Sequence, residues 1–134
     1  MHYELYLPFP PTVNNYYVKT QRGVFISQKG RKYREAVAEA YMQQLPDVMI
    51  TDKMFIEVVL WMPDNRKRDL DNCKKALFDA LSPHEKDGYP GIWEDDSLID
   101  QDFTYRGEVM KGGQVLVIIS DAGPLLKVGQ SPPD

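Results

Sequence analysis

The pattern of apolar and polar positions predicts four strands, in addition to a short hairpin described below. The first is expected over Tyr3–Leu7, where alternation stops at a proline-rich segment. The strongest is expected over Lys53–Met62, because aromatic and β-branched residues fill this segment and a proline follows it. Two further strands, Ile99–Val109 and Gln114–Ser120, are predicted to pair with each other around a Lys-Gly-Gly turn.

Apolar residues at helical spacing predict two helices. The first begins after Ser27, a suitable N-cap, and runs to about Leu45 with charges opposite its apolar stripe. The second covers Leu70–Leu81. Ahead of the first helix, Tyr17–Thr20 and Val24–Ser27 flank a basic Gln-Arg-Gly tip, which predicts a short hairpin.

The remaining segments are polar or rich in proline and glycine and are predicted to be connections. They include a turn at Asn14–Asn15 and a loop at Ser82–Gly91. The order of elements predicts an α+β fold in which two main helices pack on a mixed, mainly antiparallel sheet. We expect one domain over residues 1–121 and a loosely ordered C-terminal tail over 122–134.

Composition narrows the class of protein. The chain has 134 residues, of which 43% are hydrophobic and 27% charged, as in ordinary globular proteins. Its single cysteine excludes an intramolecular disulfide and a cysteine-rich zinc site. No apolar run approaches the roughly 20 residues that span a bilayer, and the N-terminus lacks the pattern of a signal peptide. We therefore expect a cytoplasmic protein without membrane contact.

The net charge of −4 argues against nucleic acid as a partner, but the distribution of charge favours it. Basic residues concentrate over 19–34 and 66–75, whereas Glu94–Asp96 is acidic. Such a surface suits a protein that holds a polyanion and a divalent cation. The simpler alternative is that residues 29–34 form a solvated helix face. The candidate residues for binding a nucleic acid are Lys19, Arg22, Lys29, Arg31, Lys32, Arg66, Lys67 and Arg68.

Two aspartates, Asp69 and Asp71, are the main candidates for chemistry. Inside a helix, residues two apart point about 200° away from each other, so their carboxylates would not share a cation. They converge if Asp69 lies at or before the N-cap and Asp71 in the first turn. Lys75 then lies on the face of Asp71, where it would contact a phosphate. Helix capping and a surface ion pair remain alternative explanations of these residues.

Four motifs occur in collinear order between residues 3 and 120. They are PFPPTVNN over 8–15, MPDNRKRDLDNCKKALFDAL over 62–81, WEDDSLI over 93–99, and KGG over 111–113. Together they resemble the RusA family of Holliday-junction resolvases. The resemblance implies a metal-dependent endodeoxyribonuclease of DNA recombination and repair.

The resemblance also implies roles for single residues. Asp69, Asp71 and Asp96 would bind the metal, Lys75 would be an important catalytic lysine, and Arg68 would contact a phosphate. The family is homodimeric, uses Mg²⁺, for which Mn²⁺ can substitute, and nicks two opposed strands of a four-way junction. A two-fold symmetric dimer suits a junction with symmetric strands.

Three other functions remain open. They are a catalytically silent module that binds branched DNA, a broader nuclease acting on flaps or RNA-containing duplexes, and a small-molecule phosphohydrolase. The small-molecule phosphohydrolase is disfavoured, because the basic hairpin and helix would then have no role. Asn15, Asn72 and Asp95 are further candidates for the site. Trp61, Cys73 and Trp93 are predicted core residues. His2 and His84 are not expected to act as a metal ligand or a base.

Overall fold

The structure, a computed structural model, describes residues 1–123. Most of the predicted 122–134 tail thus lies outside the described residues, and the division into domain and tail stays a prediction. The described chain forms the strands β1 (His2–Leu7), β2 (Tyr17–Thr20), β3 (Gly23–Ile26), β4 (Met54–Trp61), β5 (Ile99–Arg106) and β6 (Gln114–Ser120). Its helices are α1 (Val13–Tyr16), α2 (Gln28–Gln44) and α3 (Leu70–Leu81), with 3-10 turns at Glu85–Asp87 and Asp96–Leu98.

Four of the strands form one mixed sheet in the order β1-β6-β4-β5, and β2 and β3 form a separate hairpin. Within the sheet, β6 is antiparallel to both of its neighbours, whereas β4 and β5 are parallel. The large core cluster joins the sheet to α2 and α3. The predicted α+β fold with a mixed, mainly antiparallel sheet is confirmed.

The predicted pairing of the last two strands is wrong, because β4 lies between β5 and β6. Burial explains the order. Every residue of β4 except Phe55 is buried, and only Gln114 of β6 is not, so both strands need neighbours on each side. In contrast, β5 contains the polar residues Asp100–Asp102, which are compatible with a position at the edge of the sheet. A tight turn could join β6 only to an adjacent antiparallel strand.

Helix α2 has the bounds that its cap predicts. The Ser27 hydroxyl accepts a hydrogen bond from the Gly30 amide at 3.0 Å, and Tyr33, Val37 and Tyr41 are buried. Gly30 is required by close packing, since a Cβ there would lie 2.4 Å from the Tyr16 carbonyl oxygen. The cap and the glycine together hold α2 against α1.

The predicted Asn14–Asn15 turn lies inside α1, where it is one short helical turn rather than a reverse turn. Its amides at Asn15 and Tyr16 both donate to the Thr12 carbonyl. The predicted hairpin of β2 and β3 is present, but its tip is shorter than predicted, because Gly23 already pairs with Thr20. Within residues 1–123, none of the helices combines the length and apolar composition needed to cross a membrane.

Helix α3 also has its predicted bounds and presents a continuous apolar face to the core. Cys73, Ala76, Leu77, Ala80 and Leu81 are all buried. The core assignment of Cys73 is therefore confirmed, as are those of the two tryptophans. This packing fixes the ends of α3, and with them the side chains at its N-terminus.

The connection after α3 folds back on itself. Its ends approach because the Ile92 amide donates to the Leu81 carbonyl at 2.9 Å, and His84 and Tyr89 form an isolated bridge. Gly91, with φ of +76°, has no room for a Cβ against Pro83. The chain therefore leaves this loop close to the C-terminal end of α3. As a result, the acidic cluster Glu94–Asp96 also lies near that end of the helix.

Candidate active site

The N-terminus of α3 has the geometry that the aspartate pair predicts. Asp69 is the N-cap, and its carboxylate accepts a hydrogen bond from the Asp71 amide at 3.2 Å. Asp71 lies in the first turn, and its side chain is 85% exposed. Both carboxylates are thus at the positive end of the helix, where anionic groups are favoured and a ligand can reach them.

These two aspartates line an open cleft of about 720 Å³. The cleft lies where the carboxyl end of β5 meets the loop that leads into α3. Its walls combine acidic, amide and basic side chains. The polar residues of the lining are Lys67, Arg68, Asp69, Asp71, Asn72 and Arg106.

The ammonium group beside Asp71 belongs to Lys74 rather than to Lys75. Lys74 Nζ lies 3.8 Å from Asp71 Oδ1 and donates to Asp102 Oδ1 at 2.7 Å. Lys75 instead lines a separate cavity with Tyr17 and Lys19, against the hairpin. Across residues 1–123, the ion pair with Asp71 is thus made by Lys74, which also contacts Asp102 of β5, and not by Lys75. The catalytic role of Lys75 stays a prediction.

Replacing Lys74 by methionine should tighten Mg²⁺ binding at the cleft about fivefold, since it removes a positive charge about 4 Å from a carboxylate. Calorimetric titration of Mg²⁺ into the DNA-free protein measures this affinity. The matched substitution Lys75→Met should change it by less than about twofold, because its charge is farther away and screened. A larger effect of Lys75→Met than of Lys74→Met would contradict the assignment.

Asp96 does not join Asp69 and Asp71 within the chain. It lines another cavity with Asp79, His84 and Asp95, next to the C-terminal end of α3. Asp71 and Asp79 are separated by about 12 Å along the helix axis. Partial desolvation, followed by the Asp95 and Asp79 carboxylates, raises the pKa of Asp96 above its ordinary value.

The direction of α3 against β5 explains this separation. The two elements run opposite ways, so the start of β5 meets the end of α3. Just before the N-terminus of α3, Arg68 contacts Arg106 at the end of β5. Farther along the helix, Lys74 contacts Asp102 in the middle of β5. Near the end of the helix, Asp79 shares a cavity with Asp96, which precedes β5. The three aspartates predicted to share one metal ion therefore occupy opposite ends of α3.

Arg68 is engaged in a structural ion pair. Both of its terminal nitrogens donate to the Asp64 carboxylate, at 2.5 and 3.2 Å, and its side chain is 16% exposed. Arg68, together with the Arg66 amide, lowers the pKa of Asp64 to about 2. The guanidinium of Arg68 is thus paired with the Asp64 carboxylate in the DNA-free protein, and its role as a phosphate contact stays a prediction.

The other candidate DNA-binding residues lie on several separate surfaces. Lys29 and Lys32 line a cavity of about 510 Å³ with Arg68 and Asn15, and Lys19 lines the hairpin cavity with Lys75. Arg31 lies 3.7 Å from Asp87, and Arg22 is at the hairpin tip. Lys67 lines the cleft itself, and Arg66 lies 3.4 Å from Asp64. Their roles in binding DNA stay predictions.

The donor set of the cleft fits a hard divalent cation. Asp69 and Asp71 offer carboxylate oxygens, and Asn72 adds an amide oxygen within the same lining. Mg²⁺ is commonly bound through one or two carboxylates while it keeps waters and substrate oxygens. Across residues 1–123, however, no three acidic, histidine or cysteine side chains are grouped closely enough to hold a metal ion.

Sequence reasoning missed Asp102 and Arg106. Both lie on β5, and both approach α3 only because β5 pairs in parallel with β4 at the sheet edge. Their spacing of four residues was a weak signal, since alternate positions of a strand share one face. It could not have indicated which helix that face meets.

The fold and the cleft define a class, a small α+β protein with two carboxylates and several cationic side chains in one open cleft. The chain belongs to the RusA family: the family model described as "Endodeoxyribonuclease RusA" matches residues 8–119. It is 34% identical over 119 residues to "Crossover junction endodeoxyribonuclease rusA" of Enterobacteria phage HK97, covering 89% of this chain and 94% of that protein. It is 34% identical over 121 residues to the Escherichia coli K12 protein named RusA, covering 90% and 96% respectively.

Proposed function

We propose that this protein is a Mg²⁺-dependent endodeoxyribonuclease that resolves Holliday junctions by paired, symmetric nicking. The observation that carries the proposal is the cleft at the start of α3, where Asp69 and Asp71 stand among cationic side chains in a member of the RusA family. The relatives from phage HK97 and E. coli are named as crossover junction endodeoxyribonucleases. We also propose that the protein acts in the cytoplasm, in DNA recombination and repair.

Asp69, Asp71 and the Asn72 amide would hold the Mg²⁺ ion, with Mn²⁺ as a substitute. Such an ion supplies an activated water and neutralises charge on the phosphate oxygens. The N-cap hydrogen bond keeps the Asp69 side chain folded back over the first turn of α3, toward Asp71. Lys67 adds a positive charge at the rim of the same cleft, which favours entry of a DNA strand.

The basic residues outside the cleft would position the arms of the junction. Lys29 and Lys32 of α2 and Lys19 of the hairpin lie in cavities on either side of α1. Phosphate contacts of this kind fix the register of the protein on DNA without reading its sequence. Since the net charge is −4, binding depends on these local surfaces and should weaken steeply with added salt.

A homodimer would reconcile the position of Asp96 with its proposed role as a metal ligand. One chain brings Asp69 and Asp71 to one end of α3 and Asp96 to the other. Two copies related by a two-fold axis can place Asp96 of one beside the aspartate pair of the other, twice, by symmetry. Each cutting site would then be completed by both copies, which couples cleavage to dimer formation.

The direct experiment is cleavage of a synthetic four-way junction, with linear duplex, flap and RNA-containing duplex as comparison substrates. We expect paired nicks in opposed strands of the junction, only with Mg²⁺ or Mn²⁺. Junction binding without cleavage under either metal would favour the silent branched-DNA-binding module. Equal cleavage of flaps or RNA-containing duplexes would favour a broader nuclease.

A mixture of two inactive variants tests the composite site. We expect Asp71→Asn and Asp96→Asn each to lose cleavage when assayed alone. After the subunits exchange, the mixture should recover roughly a quarter of the wild-type sites, because half of the randomly reassorted dimers contain one intact composite site. Single nicks in the junction measure this recovery. Subunit exchange without recovered nicking would show that each site lies within one chain.

A further inference from the structure

Lys74 lies between two carboxylates that come from different elements of the fold. Its Nζ donates to Asp102 Oδ1 of β5 at 2.7 Å and lies 3.8 Å from Asp71 Oδ1 of α3. The position of Asp102 is fixed by the sheet, because β5 pairs in parallel with β4 and places Asp102 opposite Ile56. Lys74 therefore links the sheet edge to an aspartate of the cleft.

The contact of Lys74 with Asp102 is the stronger of the two. The side chains of Lys74 and Asp102 are 25% and 29% exposed, whereas the Asp71 side chain is 85% exposed. Attraction between opposite charges grows as their distance shortens and as solvent is excluded, so both factors favour Asp102. The distance of 3.8 Å to Asp71 is also too long for a hydrogen bond. Lys74 thus stays with Asp102, and the Asp71 carboxylate remains accessible to a ligand.

We propose that Asp102 is a positioning residue for the metal site, which holds the Lys74 ammonium away from Asp71 so that Mg²⁺ can bind there. This inference rests on the proposed function, because it assumes that Asp69 and Asp71 hold the ion. An ammonium and a metal ion compete for the same carboxylate oxygens. Across residues 1–123, Asp71 and Asp102 are the carboxylates within 4 Å of Lys74, so without Asp102 the ammonium pairs with Asp71. Asp102 itself is not part of the cleft lining, and it acts through Lys74.

The test is a double-mutant cycle in which calorimetry measures Mg²⁺ binding to the DNA-free protein. We expect Asp102→Asn to weaken Mg²⁺ binding about tenfold, because Lys74 then pairs with Asp71. In the Lys74→Met background, the same substitution should weaken binding by no more than about twofold, since the competing ammonium is gone. Junction cleavage gives a second readout. Asp102→Asn should require about tenfold more Mg²⁺ for half-maximal cleavage and reach the wild-type rate at saturating Mg²⁺.

The matched control is Asp100→Asn, because Asp100 is an exposed aspartate two residues earlier on β5. Its Mg²⁺ affinity should stay within about twofold of wild type. Thermal unfolding verifies that each variant is folded. The inference is overturned if Asp102→Asn weakens Mg²⁺ binding equally in both backgrounds, which means a direct action on the ion, or if it leaves the wild-type affinity unchanged. If the wild-type protein binds no Mg²⁺, or binds it equally well after Asp71→Asn, the proposed function fails instead.

Discussion

Asp71→Asn is expected to slow Mg²⁺-dependent junction cleavage by about a thousandfold or more, while junction binding stays within about twofold of wild type. The substitution keeps the shape of an exposed side chain in the first turn of α3 but removes its charge. An amide is a weaker ligand for a hard cation than a carboxylate. Single-turnover cleavage at saturating protein isolates the cutting step from binding.

The control for this variant is Asp52→Asn, an equivalent change at an exposed aspartate in the connection between α2 and β4. Its cleavage rate should equal that of wild type. Calorimetry adds a second measurement, because Asp71→Asn should also weaken Mg²⁺ binding in the absence of DNA. If Asp71→Asn cuts at close to the wild-type rate with Mg²⁺, the cleft is not the cutting site.

Local signals predicted the elements of the fold. Ser27 and Asp69 are N-caps whose side chains satisfy free amides, so each fixes the start of its helix within a few residues. The apolar run of β4 likewise predicts a strand wherever it lies in the sheet. Whether β5 pairs with β4 or with β6 depends on the order of these two central strands in the sheet. That order is decided by contacts between residues far apart in sequence, and no local pattern predicts it.

The same distinction applies to the candidate site. Asp69 and Asp71 are neighbours in sequence, so their convergence followed from a helix start alone. The contact of Lys74 with Asp102 depends on how α3 lies along β5, as does the anchoring of Arg106. The segment between α3 and β5 closes on itself, and this closure sets the place of Asp96. These positions follow from tertiary packing. The sequence motifs identify the residues but not their positions in space.

Arg34→Met should lower the free energy of unfolding by about 3 kcal/mol and the melting temperature by roughly 10 °C. Arg34 is 11% exposed and donates to Asp79 Oδ2 at 2.8 Å and to the Tyr16 hydroxyl at 2.9 Å. Tyr16 in turn donates to Asp79, so one network joins α1, α2 and α3. Desolvation, followed by the Asp79 carboxylate, raises the pKa of the Tyr16 hydroxyl and keeps it protonated as a donor.

The network matters because removing one member leaves a poorly solvated charge behind. Without the guanidinium, Asp79 keeps its bond from Tyr16 but loses its nearest cation, and methionine cannot replace it. Arg31→Met is the matched control, since Arg31 is 60% exposed and lies 3.7 Å from Asp87; such a pair contributes about 0.5 kcal/mol or less. Chemical denaturation measures both variants. Equal destabilisation by the two substitutions would mean that the Asp79 network does not hold the helices together, and that helix packing on the sheet alone fixes the end of α3 next to Asp96.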